Sequence, residues 1–295
     1  MNDGCVIVLG TFDGIHRGHK AVLNAALGFK NLRAIAVTFP FPPRRVTKNE
    51  YVPMLMTAGQ KNEMLKKMGF SEIFTLNYDE VRDLEPTAFL DMLFEKYNVK
   101  AVVCGFDHRF GKGGQGDAAL MSQYCGEHGA EAVVVPATTV SGQTVSSSLI
   151  RELIANGDIS FANTLLGHPF EFQSEVIHGE ERGRTMGFPT VNQALHDELV
   201  TPKFGVYATA VTIDGEDYPA VTNIGIRPTF LLKKPLSETY IIDFDGDLYG
   251  QTIPVKLLSY MRPESRFETL DELKAAIEND KENAVKAFNS GVLSV

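Results

Sequence analysis

Near residue 168 the rhythm of the chain changes, and no single sheet architecture accommodates both rhythms. Before that point, apolar runs of strand length alternate with helical spacing; after it, short alternating runs follow one another with no helices between them. Candidate strands in the first part are Val6–Leu9, Arg33–Phe39, Glu72–Leu76, Ala101–Gly105 and Glu131–Pro136. Helical spacing fills Lys20–Leu27, Thr57–Met68, Pro86–Tyr97 and Gly116–His128. Such alternation predicts a doubly wound parallel sheet. In the second part the candidates are Phe170–His178, Gly205–Ile213, Tyr218–Ile224, Glu238–Phe244 and Thr252–Leu258, divided by turn residues such as Asp214-Gly215 and Asp245-Gly246. That pattern predicts an antiparallel barrel. A last helix, about Leu270–Phe288, carries apolar residues at Leu270, Leu273, Ile277, Ala284 and Phe288, a spacing interrupted by Asn279–Asn283. The fold class is therefore α/β, a doubly wound parallel-sheet domain followed by a β-barrel domain with a terminal helix. At 295 residues the chain exceeds one typical core. The boundary is placed so that the domains are 1–167 and 168–295.

Charge narrows the partners. The net charge is −9, and it is uneven: residues 1–167 hold 16 Lys+Arg against 17 Asp+Glu, residues 168–295 hold 12 against 20. An acidic chain without basic clusters is a poor binder of nucleic acid. No apolar run approaches the roughly 18 residues of a membrane span, and no secretory signal is visible. Three unpatterned cysteines, Cys5, Cys104 and Cys125, fit a reducing compartment, so a cytoplasmic location is expected. Nothing in the pattern speaks to oligomeric state.

Directly after the first strand comes Gly10-Thr11-Phe12-Asp13-Gly14-Ile15-His16-Arg17-Gly18-His19-Lys20, and then a helix. The two histidines thus fall where a strand hands over to a helix N-terminus. In open α/β sheets that junction binds ligands, and its free backbone N–H groups and dipole favour phosphate. A capping role for a histidine is one reading. Half a metal site is another, but no Cys-x-x-Cys pair and no third ligand accompany it. Gly10, Gly14 and Gly18 are spaced by four, which does not fit a dinucleotide fingerprint. What remains is a phosphate cradle with two imidazole donors, suited to nucleotidyl transfer.

The second half carries Gly183-Arg184-Thr185-Met186-Gly187-Phe188-Pro189-Thr190-Val191-Asn192. Gly183 and Gly187 permit tight turns beside a ligand. Thr190 and Asn192 are two apart and share a side of an extended segment. Their oxygens, with nucleotide phosphates, suit Mg²⁺, which seldom receives a complete protein cage. A glycine-proline turn entering a strand is the plainer reading. Arg182, Arg184, Arg227 and Arg262 lie in or beside such motifs and are candidates for phosphate contacts.

These stretches resemble a known family. Gly-x-Phe-Asp-Gly-x-His-x-Gly-His resembles the nucleotidyltransferase signature of bacterial FAD synthetases, and Gly187-Phe188-Pro189-Thr190-Val191-Asn192 resembles the ATP–magnesium signature of riboflavin kinases. Further matches follow in the family's order: Gly105-Phe106-Asp107-His108-Arg109-Phe110-Gly111, Ser146-Ser147-Ser148-Leu149-Ile150-Arg151, Leu165-Leu166-Gly167-His168-Pro169, Gly205-Val206-Tyr207-Ala208, Asn223-Ile224-Gly225-Ile226-Arg227-Pro228-Thr229-Phe230, Asp247-Leu248-Tyr249-Gly250 and Arg262-Pro263-Glu264. The resemblance covers essentially the whole chain. It implies a bifunctional enzyme that phosphorylates riboflavin to FMN with ATP and Mg²⁺, releasing ADP, and then joins FMN to the adenylyl group of ATP to give FAD and pyrophosphate. By the same resemblance His16, His19, Arg151 and Glu238 are the catalytic candidates, with Glu238 as base. Gly10, Phe12, Gly18, Ser147, Ser148, Gly183, Gly187, Thr190 and Asn192 would contact ATP. Asp107, Arg109 and Arg262 would contact flavin, and Thr190 and Asn192 would hold the metal.

The chain departs from the family in four places. Thr38-Phe39-Pro40-Phe41-Pro42-Pro43 lacks the histidine of the usual Thr-Phe-x-Pro-His-Pro. His108 stands where phenylalanine is usual, Ser148 where threonine is usual, and Tyr240 where histidine is common. Two alternatives therefore stay beside the main reading: a riboflavin kinase with a weakened or altered adenylyltransferase domain, and a non-catalytic flavin-binding regulatory protein. Glu238 counts against the second, because a pure binder has no need of a base.

Overall fold

The computed structural model describes residues 4–42, 51–179, 188–226 and 235–291. The chain divides into two compact units, Met1–Val52 with Met56–Ser147 and Pro53–Leu55 with Ser148–Val295.

In the first unit five strands form a parallel sheet: β1 (Cys5–Leu9), β2 (Arg33–Thr38), β3 (Glu72–Thr75), β4 (Val99–Gly105) and β5 (Glu131–Val135), in the order β3-β2-β1-β4-β5. Strand alternation sorts their side chains onto two faces. Cys5, Ile7 and Leu9 of β1 join Ile35, Val37, Val102 and Cys104 in one cluster, against α4 (Pro86–Lys96) and α5 (Ala118–Glu127). Val6 and Val8 join Ala34, Ala36, Ala101 and Val103 in the other, against α1 (Arg17–Leu27) and α2 (Ala58–Met68). A short helix, α3 (Tyr78–Val81), precedes α4. Helices thus cover both faces of the sheet, as the β-α alternation predicts. The order reverses beside β1, so its carboxyl end lies at the switch point where such sheets bind ligands. A small hairpin, β6 (Thr139–Val140) with β7 (Gln143–Thr144), follows β5.

The second unit begins with α6 (Ser147–Asn156, whose first residue belongs to the first unit) and α7 (Ile159–Leu166). Its six strands are β8 (Phe170–Ile177), β9 (Thr190–Ala194), β10 (Gly205–Ile213), β11 (Glu216–Ile226), β12 (Pro235–Ile241) and β13 (Thr252–Arg262). They close an antiparallel barrel in the order β10-β11-β12-β9-β8-β13. Inside it, Thr209, Thr222 and Thr239 are fully buried and pass hydroxyl hydrogen bonds across three strands, at 2.8 and 2.9 Å. Outside, Ala208, Ala210 and Leu258 pack under α8 (Leu270–Asn289) through Ala284. Asn163 of α7 locks that helix to the barrel: its amide donates to the Leu257 carbonyl and accepts from Phe170 N–H, both at 2.8 Å.

The short helix α3, the β6–β7 hairpin and helix α6 are not among the elements expected from the sequence, and polar residues shape two further elements. Strand β9, met in the sequence only as the strand that a glycine-proline turn would enter, completes the barrel; its inward residue is the polar Gln193, bonded to the Ser174 and Ile253 carbonyls. Helix α8 is the single helix expected from the sequence, and it stays continuous where its apolar spacing lapses at Asn279–Asn283. The polar residue there, Asp280, occupies an inward slot of the apolar stripe and is 2% exposed, paired with Arg262 of β13. A satisfied ion pair lets the helix continue where the periodicity lapses.

Candidate active sites

The segment joining β1 to α1 is tightly coiled. Phe12 (φ 53°), Gly14 (φ 83°) and Ile15 (φ 36°) all take left-handed backbone conformations. For Phe and the β-branched Ile this costs about 1–3 kcal/mol each, and it persists only where the surroundings enforce it. Here they do. Phe12 and Ile15 bury their side chains among Val6, Val8 and Leu23. The Ser147 hydroxyl donates to the Asp13 carbonyl at 3.0 Å, and the Lys61 ammonium donates to the Thr11 carbonyl at 3.0 Å. Gly10 is obligatory for a steric reason: a Cβ there would lie 2.6 Å from the Phe12 ring, which folds back over it.

This coil delivers His16 and His19 to the helix start. His16 is the N-cap of α1, and its Nδ1 accepts from the His19 backbone N–H at 3.1 Å. An accepting Nδ1 places the ring proton of neutral His16 on Nε2. The two rings stack with centroids 3.6 Å apart and 15° between planes, and Phe12 meets His19 edge-on at 5.5 Å. At Gly18 a Cβ would come within 3.2 Å of the His16 ring, so glycine leaves room for the stack. Capping and a donor role are therefore compatible: one ring nitrogen of His16 caps, and the other carries a proton.

The remaining first-part candidates are spread out. Ser147 and Arg151 are four apart on α6 and share a helix face. Ser148 is exposed at its first turn. Asp107 is exposed, and Arg109 makes a long 3.5 Å surface pair with Asp117. His108 stacks at 5.9 Å on Phe110, and burial pushes its pKa down to about 4. It is therefore a neutral aromatic ring at neutral pH, which preserves the character of the phenylalanine usual there. Lys61 went unnoticed in the sequence, although a signal exists: it occupies the first place of the stripe Lys61, Met64, Leu65, Met68.

In the barrel, sheet register assembles residues far apart in sequence. Glu238 of β12 pairs with Asn192 of β9 on one side and with Asn223 of β11 on the other. All three alternate with inward residues (Gln193, Thr239, Thr222), so they form one row on the outer face. Thr190, two residues before Asn192, shares that face opposite Tyr240. Asn223 donates to the Glu264 carboxylate at 3.0 Å, and Glu264 packs so closely on Gly225 that a Cβ would fall 2.6 Å from its oxygen. A Cβ on Gly179 would overlap the Asn192 side-chain amide, so the backbone after β8 passes directly against that residue. The sequence placed Asn223 and Glu264 in motifs without a role, and Gly179 in none. Gly183, Arg182, Arg184, Gly187, Arg227 and Pro43 lie outside the described residues.

Arg262, a flavin candidate, is held by a different partner. Its Nε and Nη2 donate to the Asp280 carboxylate at 3.1 and 2.7 Å, fastening β13 to α8. As for metal, no cluster of three His, Cys, Asp or Glu exists among the described residues. The Thr190 hydroxyl and the Asn192 side-chain carbonyl are hard oxygen donors on one face, a partial set of the kind Mg²⁺ accepts when phosphates complete it; Glu238 stands beside them, opposite Asn192.

Comparison with known proteins follows the same two-part division. A family model described as FAD synthetase matches residues 1–149, and one described as riboflavin kinase matches residues 166–288. The chain is 35% identical to the bifunctional riboflavin kinase/FMN adenylyltransferase of Listeria monocytogenes, over 96% of this chain and 92% of that one. Against the proteins of the same description from Bacillus subtilis and Escherichia coli K12 the identities are 35% and 36%, in each case over 97% of this chain and 93% of the relative. A crystal structure described as a macrolide-efflux protein from Streptococcus pneumoniae superposes with a TM-score of 0.87 at 30% identity, covering 96% of this chain and 94% of that one. No helix among the described residues here is long and apolar enough to cross a membrane.

Proposed function

From the membership of this chain in the bifunctional riboflavin kinase/FMN adenylyltransferase family, we propose that it makes FMN at its barrel and FAD at its parallel-sheet domain. The domains are taken as 168–295 and 1–167. The observation that carries the kinase half is the row Asn192, Glu238, Asn223, assembled by strand pairing from three separate motifs.

In the kinase step Glu238 accepts the proton of the ribityl 5′-hydroxyl as that oxygen attacks the γ-phosphorus of ATP, and ADP leaves. General-base assistance of this kind contributes about 10²–10⁴-fold. Thr190 and Asn192 would hold Mg²⁺, which when bound neutralises phosphate charge. Gly179 lets the backbone close over Asn192 and fixes its amide. Asn223, tied to Glu264, flanks Glu238 and orients the row. Gly183 and Gly187 are assigned to ATP by resemblance.

In the adenylyl step the FMN phosphate attacks the α-phosphorus of a second ATP, and negative charge grows on the departing pyrophosphate. His16 and His19 donate to that charge from the start of α1, with no covalent intermediate. Gly10, Phe12 and Gly18 shape the turn around them. Ser147, Ser148 and Arg151 are the assigned triphosphate contacts, and Asp107 and Arg109 the assigned flavin contacts. For Arg262 the ion pair with Asp280 favours a structural duty over direct flavin binding. A reducing cytoplasm suits the buried free thiols of Cys5, Cys104 and Cys125. Incubation with riboflavin, ATP and Mg²⁺ followed by separation of the flavins tests the proposal. FAD is the expected product. FMN alone would leave a kinase with an impaired adenylyl site, and no product would leave a flavin-binding protein.

A further inference from the structure

Lys61 is 1% exposed, inside the first unit. Its ammonium donates to the Thr11 carbonyl at 3.0 Å, to the Thr38 hydroxyl at 3.3 Å and to the Phe39 carbonyl. An ammonium has three protons, and all three are committed to protein acceptors. Thr38 adds its own hydrogen bond to the Thr11 carbonyl at 3.0 Å. The cluster therefore ties the segment leaving β1, which becomes the histidine turn, to the segment leaving β2, which opens the Phe39–Pro42 stretch.

Stability alone does not account for a lysine here. Burying an ammonium is costly even when it is paired. Asp13, 2% exposed on the same turn, is the charged group that offsets this, yet desolvation still pulls the Lys61 pKa down to about 8. Its neighbours on the helix stripe are Met64, Leu65 and Met68, and a methionine at 61 would fill the same space without the desolvation cost. What methionine cannot do is grip two carbonyls in different loops at once.

We infer that Lys61 is a positioning residue for adenylyl transfer, holding the Thr11 and Phe39 carbonyls so that the turn presents His16 and His19 in register with the segment after β2. This rests on the adenylyl-transfer reading of the histidine turn. Positioning acts on the transition state, where a displacement of about 1 Å can cost 10²-fold in rate. Lys61 touches no substrate in this account; its effect passes through the main chain.

The test uses the full chain and three variants: Lys61→Met, Lys61→Gln and Thr38→Val. FAD formation from supplied FMN is measured as separate kcat and KM values, alongside riboflavin phosphorylation and the thermal midpoint. The wild-type chain must first form FAD; if it does not, the reading of the turn fails rather than the role of Lys61. Lys61→Met is expected to lower kcat for FAD by roughly 10²-fold, with KM for ATP near the wild-type value and riboflavin phosphorylation unchanged. Lys61→Gln and Thr38→Val, which each keep part of the cluster, should fall between. A wild-type kcat per folded molecule with only a lowered midpoint overturns the inference, and so does a rise in KM at constant kcat. If Lys61→Met does not fold, Thr38→Val decides: it removes one hydroxyl from the cluster and fills nearly the same volume, and a normal FAD kcat there overturns the inference equally.

Discussion

Glu238 lies directly opposite Asn192 in the antiparallel ladder of β12 and β9, so a proposed base and a proposed metal ligand are cross-strand neighbours. Side chains so paired are about 4.5–5.5 Å apart at Cβ, within reach of one phosphate and its cation.

That pairing separates two variants by chemistry. Glu238→Gln keeps shape and hydrogen bonding but cannot accept a proton, and FMN formation should fall about 10²–10⁴-fold with riboflavin binding retained. Asn192→Ala removes a metal oxygen, so its loss should be partly recovered by raising Mg²⁺, whereas that of Glu238→Gln should not. Both should still convert supplied FMN to FAD. Rate measurements across a Mg²⁺ titration check this, and identical Mg²⁺ responses would sink the division of roles.

His16 and His19 should differ although they stack. His16 caps α1 through Nδ1, so His16→Ala loses a cap worth about 0.5–2 kcal/mol as well as a phosphate donor. His19→Ala should lose about 10²–10³ in FAD turnover, the scale for one preorganised donor, with a smaller drop in thermal midpoint. Riboflavin phosphorylation should survive in both, so FMN accumulates. Near-normal FAD synthesis by His19→Ala would remove it from the chemistry.

Arg262 and Asp280 form a pair with 26% and 3% of their side chains exposed. Arg262→Met strands the buried Asp280 carboxylate and should destabilise the barrel unit by about 3 kcal/mol, the scale for breaking a buried pair. Adding Asp280→Leu to it should recover most of that loss, because the stranded charge is gone. Urea unfolding of the two variants measures the difference. A double variant no more stable than Arg262→Met would mean that the stranded charge is not the cause of the loss.

Lys61 gives a pH signature with a definite sign. Its folded pKa is about 8 against an ordinary 10.5, so between those values the unfolded chain binds more protons and stability rises with pH. The contribution is complete above 10.5 and is lost as pH falls through 8, roughly 3 kcal/mol at 1.36 kcal/mol per pKa unit. Comparing unfolding midpoints of wild type and Lys61→Met from pH 7 to 11 isolates it, since other lysines and tyrosines titrate alike in both. The wild-type chain should gain on the variant as pH rises; a constant difference would contradict the depressed pKa.

Much of the architecture was legible in the sequence because apolar periodicity is local. The even and odd residues of β1 divide between two helical layers, and the β-α alternation permits few other packings. The histidines could be placed at a helix start for the same reason: Val6–Leu9 and the helical spacing after Lys20 bracket them. Resemblance then supplied roles for Glu238, Thr190 and Asn192 that composition could not. Tertiary structure decided where polar residues found partners. Gln193 points a polar amide into the barrel from β9, and it is matched only by the Ser174 and Ile253 carbonyls of distant segments. Asp280 interrupts the apolar spacing of the last helix and is matched only when Arg262 meets it, and nothing in the sequence analysis marked Lys61, whose partners at Thr11, Thr38 and Phe39 come together only in the fold. The pattern of a segment reports how apolar residues escape water. A buried polar group is stabilised instead by acceptors or charges from distant segments, and these become neighbours only when the chain has folded.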